Sequence, residues 1–242
     1  MNSHCDLSKK KCTPCQGGVP PLKGSSLAEL HRQLGKGWKV IDEHHLEKEY
    51  SFKNFREPLA FTNAIGAIAE EEGHHPDIFL SYGKVKIQLW THKINGLTES
   101  DFILAAKIEN QALLQSKHAV VNAYFRGLEK GSYADVIRLF ASNAIVHSPL
   151  YGNVEAVKFY KELFADTKSS SITLKNVFVS TDSPHTAAAQ FVYAWTLKDG
   201  TPVRFECVDV FDFAPESDQI KTLTIIYDTY HTREGFSKVH GT

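Results

Sequence analysis

Apolar residues recur at helical spacing most clearly over Asn54 to Glu72. There Phe55, Leu59, Thr62, Ile65 and Ala69 form a stripe, with Phe61 and Ile68 beside it. Pro58 falls in the first turn, where a missing N–H is harmless, and Gly73 stops the pattern. The period then changes to two. Val85, Ile87 and Leu89 alternate with Lys86, Gln88 and Trp90, which predicts a strand to Thr91 paired through Gly83 with a strand from Asp77 to Tyr82. Upstream, Ser25 and Ser26 offer an N-cap for a short helix to Leu34, closed by Gly35 and Gly37. Trp38 to Ile41 and Leu46 to Phe52 read as strands, and a last helix begins after Thr98. The order α-β-β-α-β-β-α predicts one α+β unit over residues 25–115, preceded by an extended arm over 1–24 rich in Lys, Gly and Pro.

The pattern restarts after Leu114 with no flexible linker, so the last helix of the first unit runs nearly into the next. Helices are predicted from Lys117 to Lys130, Tyr133 to Phe140 and Val154 to Phe164, with a short strand from Ala144 to Ser148. Four long strands follow: Ser171 to Thr181, Thr186 to Leu197, Pro202 to Phe213 and Gln219 to Tyr230. Asp199-Gly200 marks a hairpin between the middle two. Helices followed by a long antiparallel meander predict a curved sheet wrapped around a helix, a second α+β domain over 116–242. The halves share no internal repeat.

Composition narrows the function classes. The chain has 242 residues, 42% hydrophobic and 23% charged, with a formal net charge of −1. No basic excess favours a phosphate backbone, so no nucleic-acid partner is expected. No apolar run reaches the length of a membrane helix, and the N-terminus lacks the apolar core of a secretory signal. A cytoplasmic protein is the expectation. Cys12 and Cys15 form a C-x-x-C without a second pair. His4 and Cys5 are the only further local ligands for zinc, so a reduced, exposed arm is expected there.

The candidate chemistry lies in Glu70-Glu71-Glu72-Gly73-His74-His75-Pro76-Asp77, with Trp90-Thr91-His92 one hairpin later. Imidazole is the side chain best suited to exchange protons near neutrality. Gly73 and Pro76 break the backbone around the histidine pair, and a hairpin turning at Gly83 returns His92 to the same sheet end. The same residues can be read as a helix end and a polar strand terminus. A zinc site is the third reading, without the His-x-x-x-His or His-x-His spacing that puts ligands on one face.

With their wider context these residues resemble the pterin-4a-carbinolamine dehydratase family. The resemblance rests on Glu70, His74-His75-Pro76, Tyr82, Val85, Leu89, Thr91-His92, Gly96-Leu97 and Asp101, on Gly37-Trp38, and on the arm from Lys11-Cys12 to Pro20-Pro21-Leu22. It covers roughly Cys12 to Leu114. It implies an enzyme without metal or other cofactor that dehydrates a 4a-hydroxytetrahydropterin left by an aromatic amino acid hydroxylase, giving quinonoid dihydropterin and water. By the family pattern His74 and His92 transfer protons and His75 positions the pterin. Asp101 orients His92 or lines the pocket, Glu70 caps local groups or contacts substrate, and Pro76 fixes the turn. A homo-oligomer, as a dimer, is implied. Some relatives act as assembly factors or coactivators, so a binding protein that keeps the dehydratase fold is the alternative.

The second half resembles the cone-shaped α+β fold of nuclear transport factor two, ketosteroid isomerase and small polyketide cyclases. That fold serves enzymes and dimerisation modules alike, so it assigns no activity. Strand parity adds one clue. Val203, Phe205, Cys207, Asp209, Phe211 and Phe213 share a face, and Asp209 is its one acid. It is either a hydrogen-bonded core acid or a group in a cavity that His147, Tyr193, Trp195 and Tyr227 could line. Dimerisation and small-ligand binding both fit such a domain.

Overall fold

A computed structural model describes residues 7–13, 19–34, 36–180, 183, 185–215, 217–230, 233 and 237. The chain divides into two compact units, Met1–Leu113 and Leu114–Thr242. His4, Cys5, Cys15 and the helix stop assigned to Gly35 lie outside the described residues.

The first unit contains α1 (Gly24–Arg32), β1 (Lys39–Ile41), β2 (His45–Ser51), α2 (Arg56–Glu72), β3 (Asp77–Ser81), β4 (Lys84–Leu89) and the start of α3 (Glu99–Glu129). Its strands form an antiparallel sheet in the order β1-β2-β4-β3. The period-two pattern sets the faces: Val85, Ile87 and Leu89 are fully buried with Leu46, Phe61, Ile65 and Phe102. Burying a large apolar side chain contributes about 1.5–3 kcal/mol, so this layer holds the sheet to α2 and α3. Phe55 and Leu59, at the start of the α2 stripe, are instead exposed. Gly73 closes α2 in the left-handed conformation, its N–H bonded to Glu70 O, with His74 N–H bonded to Ala69 O.

The N-terminal arm, expected to be exposed, is docked at two buried residues. Leu7 and Cys12 are buried, the Cys12 N–H donates to Glu72 Oε2 at 2.8 Å, and Cys12 Sγ donates to Ser100 O at 3.5 Å. Burial, then the Glu72 carboxylate, pushes the Cys12 thiol up to about 12, so it stays protonated. An apolar anchor and one carboxylate acceptor dock a segment that its composition marks as loose.

The second unit holds the rest of α3, then α4 (Tyr133–Ile137), β5 (Phe140–Ser148), β6 (Gly152–Glu155), α5 (Ala156–Asp166), β7 (Thr167–Val179), β8 (Thr186–Leu197), β9 (Pro202–Phe213) and β10 (Ile220–Ile226). The two helices predicted after Thr98 and from Lys117 are one. The intervening Gln111-Ala112-Leu113-Leu114-Gln115 contains strong helix formers and no Gly or Pro to stop it. The sheet has six strands, β6-β5-β10-β9-β8-β7, rather than a meander of four. β10 pairs antiparallel with β9 and parallel with β5. The sheet packs on a core containing Tyr124, Phe140, Tyr160, Phe191 and Phe211. No helix among the described residues is long and apolar enough to cross a membrane.

Candidate active site

Asp101 organises the first site. It is wholly buried in the first turn of α3, and its Oδ1 lies 2.7 Å from His74 Nε2, itself buried. Oδ2 accepts from the Thr98 N–H at 2.7 Å, the Thr91 hydroxyl at 3.0 Å and the Thr98 hydroxyl at 3.1 Å. A buried carboxylate needs such donors to offset its desolvation. Its partner is therefore His74, where the sequence assigns it to His92 or the pocket wall. The link to His92 is indirect: Asp101 holds Thr91, the residue before it.

The backbone break at Gly73 separates the paired histidines. His74 turns inward, while exposed His75 lies 3.1 Å from Glu70 Oε1 through Nε2. Pro76 then leads into β3. His92 opens a single 3-10 turn, His92–Ile94, and is exposed. Its ring packs edge-on against Trp90, with centroids 4.4 Å apart. The turn is closed by the Thr91 N–H bonded to Gly96 O at 2.9 Å.

Two neighbours escape the sequence reading. His44 and His45 flank the same Trp90, with centroids 5.8 and 6.0 Å away, and their Nδ1 atoms are 3.1 Å apart. His44 Nε2 lies 3.0 Å from Asn95 Oδ1, a carbonyl acceptor, so His44 donates there and His45 donates to His44 Nδ1. Burial, then His44, lowers the His45 pKa. The detectable signal was register: Leu46 pairs with Leu89, which sets His45 beside Trp90. Among the described residues no three His, Cys, Asp or Glu side chains converge as a metal site would require.

The second unit holds a separate cavity. The cavity measures about 50 Å³, within a cleft of about 490 Å³ that includes space open to solvent. Tyr193, Trp195, Phe205 and Tyr227 supply aromatic walls, and Asp209 and Tyr124 supply polar ones. Asp209 is buried. Tyr124 Oη donates to its Oδ2 at 3.2 Å, Cys207 Sγ donates to its Oδ1 at 3.3 Å, and Tyr160 Oη donates to Tyr124 Oη at 3.1 Å. Burial pushes the Asp209 carboxyl up to about 7 against the lowering effect of the Cys207 and Tyr124 hydrogen bonds. His147 does not belong to the lining. It alternates with buried Val146 and Ser148 on β5, and its Nδ1 lies 2.7 Å from Asn153 Oδ1. Tyr124 and Tyr160 come from two helices far away in sequence, and no local pattern announces them.

The family model for "Pterin 4 alpha carbinolamine dehydratase" matches residues 20–111, and that for a "SnoaL-like domain" matches residues 121–222. A protein of Alkaliphilus metalliredigens named "Putative pterin-4-alpha-carbinolamine dehydratase" is 58% identical over 106 residues, covering 44% of this chain and 96% of that protein. A protein of the same name from Rubrobacter xylanophilus is 57% identical over 104 residues, covering 43% and 96%. The crystal structure of a transcriptional coactivator/pterin dehydratase from Brucella melitensis is 33% identical, covers 38% of this chain and 98% of its own, and has a TM-score of 0.36. Both relatives are spanned almost entirely by the first unit, which carries the histidine site, so the chain belongs to the pterin-4-alpha-carbinolamine dehydratase family and extends beyond it with a SnoaL-like domain.

Proposed function

We propose that the first unit dehydrates a 4a-hydroxytetrahydropterin to the quinonoid dihydropterin and water by histidine acid–base catalysis. The observation that carries this reading is the buried His74–Asp101 pair at 2.7 Å, with Asp101 also gripping the residue before His92. The reaction breaks the C4a–O bond. A proton must reach the departing hydroxyl, the N5–H must be lost, and the N5 electron pair expels the oxygen as water. Both proton movements suit imidazole near neutral pH. In this reading His74 and His92 move the protons and exposed His75, braced by Glu70, positions the pterin. Asp101 fixes the ring orientation of His74, and Pro76 sets the direction of the chain. No metal or cofactor enters any step. The pterin would be supplied by an aromatic amino acid hydroxylase reaction, and the protein would act as a homo-oligomer in the cytoplasm.

A second reading has a specific observation behind it. Phe55, Leu59, Phe79 and Tyr82 are exposed, with Phe79 on the edge strand β3, and such apolar surface suits protein contacts. In that reading the fold is a non-catalytic binding or assembly module. The discriminating experiment generates the carbinolamine in situ with a hydroxylase and follows its absorbance decay. Faster decay with the intact chain supports the enzyme; spontaneous decay in the presence of folded protein supports the binding module. For the second unit, small-ligand binding is the reading favoured over a purely dimerising role, because a dimerisation module has no need of a buried acid beside a cavity.

A further inference from the structure

We infer that Cys12 is a positioning residue of the dehydratase site, bridging the end of α2 to the start of α3 and so holding His74 against Asp101. This rests on the histidine chemistry proposed for the first unit.

His74 and Asp101 are 27 residues apart and stand on different elements, one just past α2 and the other in the first turn of α3. Their 2.7 Å contact is therefore only as fixed as the two helix ends are to each other. Cys12 touches both ends. Its N–H donates at 2.8 Å to Glu72, the last residue of α2, and its thiol donates at 3.5 Å to the carbonyl of Ser100, directly before Asp101. Thr13 grips the same serine twice. Its N–H donates to Ser100 Oγ at 3.1 Å, and that hydroxyl donates to the Thr13 carbonyl at 3.2 Å.

Burial and charge decide which of these contacts matter. Lys10 pairs with Glu99 at 2.6 Å, but both side chains are well exposed, and such pairs contribute little. Cys12 and Ser100 are buried, and Leu7 anchors the segment in the apolar core. Burial acts to raise the Glu72 carboxyl, but the Cys12 N–H and Lys107, at 2.9 Å, outweigh it and hold Glu72 below its ordinary range. Cys12 thus donates to an ionised carboxylate, a stronger bond than one to a neutral acceptor. Burial also keeps the thiol protonated, so it remains a donor through neutral pH. Residues 7–13 precede the stretch 20–111 over which the dehydratase family matches, so the bridge is an addition to that stretch.

The test uses the full chain as wild type, Cys12→Ala, Cys12→Ser and the double variant Cys12→Ala with Ser100→Ala. Two readouts are taken. The first is the low-field proton resonance of the His74 ring N–H bonded to Asp101, identified by its loss in His74→Gln. The second is steady-state turnover of carbinolamine generated in situ. In the double variant the resonance should move upfield or broaden by solvent exchange. Its kcat should fall about 10–10²-fold, as displacement of a proton-transfer group does, with KM unchanged because His75 still positions the pterin. Cys12→Ser, which keeps a donor, should restore both readouts relative to Cys12→Ala. If the double variant does not fold, the comparison of Cys12→Ala with Cys12→Ser decides. An unchanged resonance overturns the inference. So does an unchanged kcat, a raised KM alone, or a Cys12→Ser chain as impaired as Cys12→Ala. A wild type that dehydrates nothing overturns the dehydratase reading instead, and the resonance still decides whether Cys12 holds the pair.

Discussion

Asp209 titrates at about 7 in the folded chain, against an ordinary value of 3.8, because burial disfavours its charge. Between those values the native state holds a proton that the unfolded state has released. The contribution of Asp209 to stability is therefore greatest below the unfolded value and falls as pH rises, levelling off above about 7. Asp209→Asn removes this dependence. Urea unfolding at pH 5 and pH 8 should show the wild type losing about 3 kcal/mol more than the variant across that interval; equal losses would contradict the buried-acid account. The position of Asp209 on the inner face was legible from strand parity. Its hydroxyl partners were not, since Tyr124 and Tyr160 reach it only through tertiary packing. The same holds for Asp101. Its place in the first turn of a helix was readable, but the choice of His74 over His92 depends on the inward turn after Gly73.

Among the elements, the turn that carries His92 depends on a close approach that only glycine permits. A Cβ at Gly96 would lie 2.7 and 2.9 Å from Pro21 Cβ and Cγ, and the proline ring cannot rotate aside. The Leu22 N–H, bonded to Leu97 O at 2.8 Å, holds that segment in place. Gly96→Ala is expected to destabilise the chain by about 1–3 kcal/mol, as overpacking does. A lower melting temperature with reduced dehydratase turnover would register it; an unshifted melting curve would show that the segment yields freely. Gly96-Leu97 stood out in the sequence as part of a family pattern, but its physical reason lies in a segment about 75 residues earlier, beyond any local signal. The same limit explains β6, a strand of four residues too short to show a period, and the joined α3, where two apolar stripes read as two helices. The long strands β8 and β9 were read with their observed bounds, because alternation over 12 residues leaves little freedom.

Across the whole molecule each unit has its own apolar core, one around Phe61, Ile87 and Phe102, the other around Tyr124, Tyr160 and Phe211. Each also has its own candidate site, and the dehydratase match, over residues 20–111, speaks for the first unit alone. Self-association is expected through exposed apolar surface. Light scattering should give an integral multiple of 27.1 kDa, lowered towards one chain by Phe79→Ser with Tyr82→Ser; a monomeric wild type would rule it out. The central claim is that imidazoles of the first unit carry the proton transfers of pterin dehydration. Stopped-flow decay of the 4a-carbinolamine tests it most directly, with the wild type beside His74→Ala and His92→Ala, each checked for folding. Rate enhancement reduced about 10²–10⁴-fold in each variant is the predicted result. A folded His92→Ala chain that turns over like the wild type would contradict it.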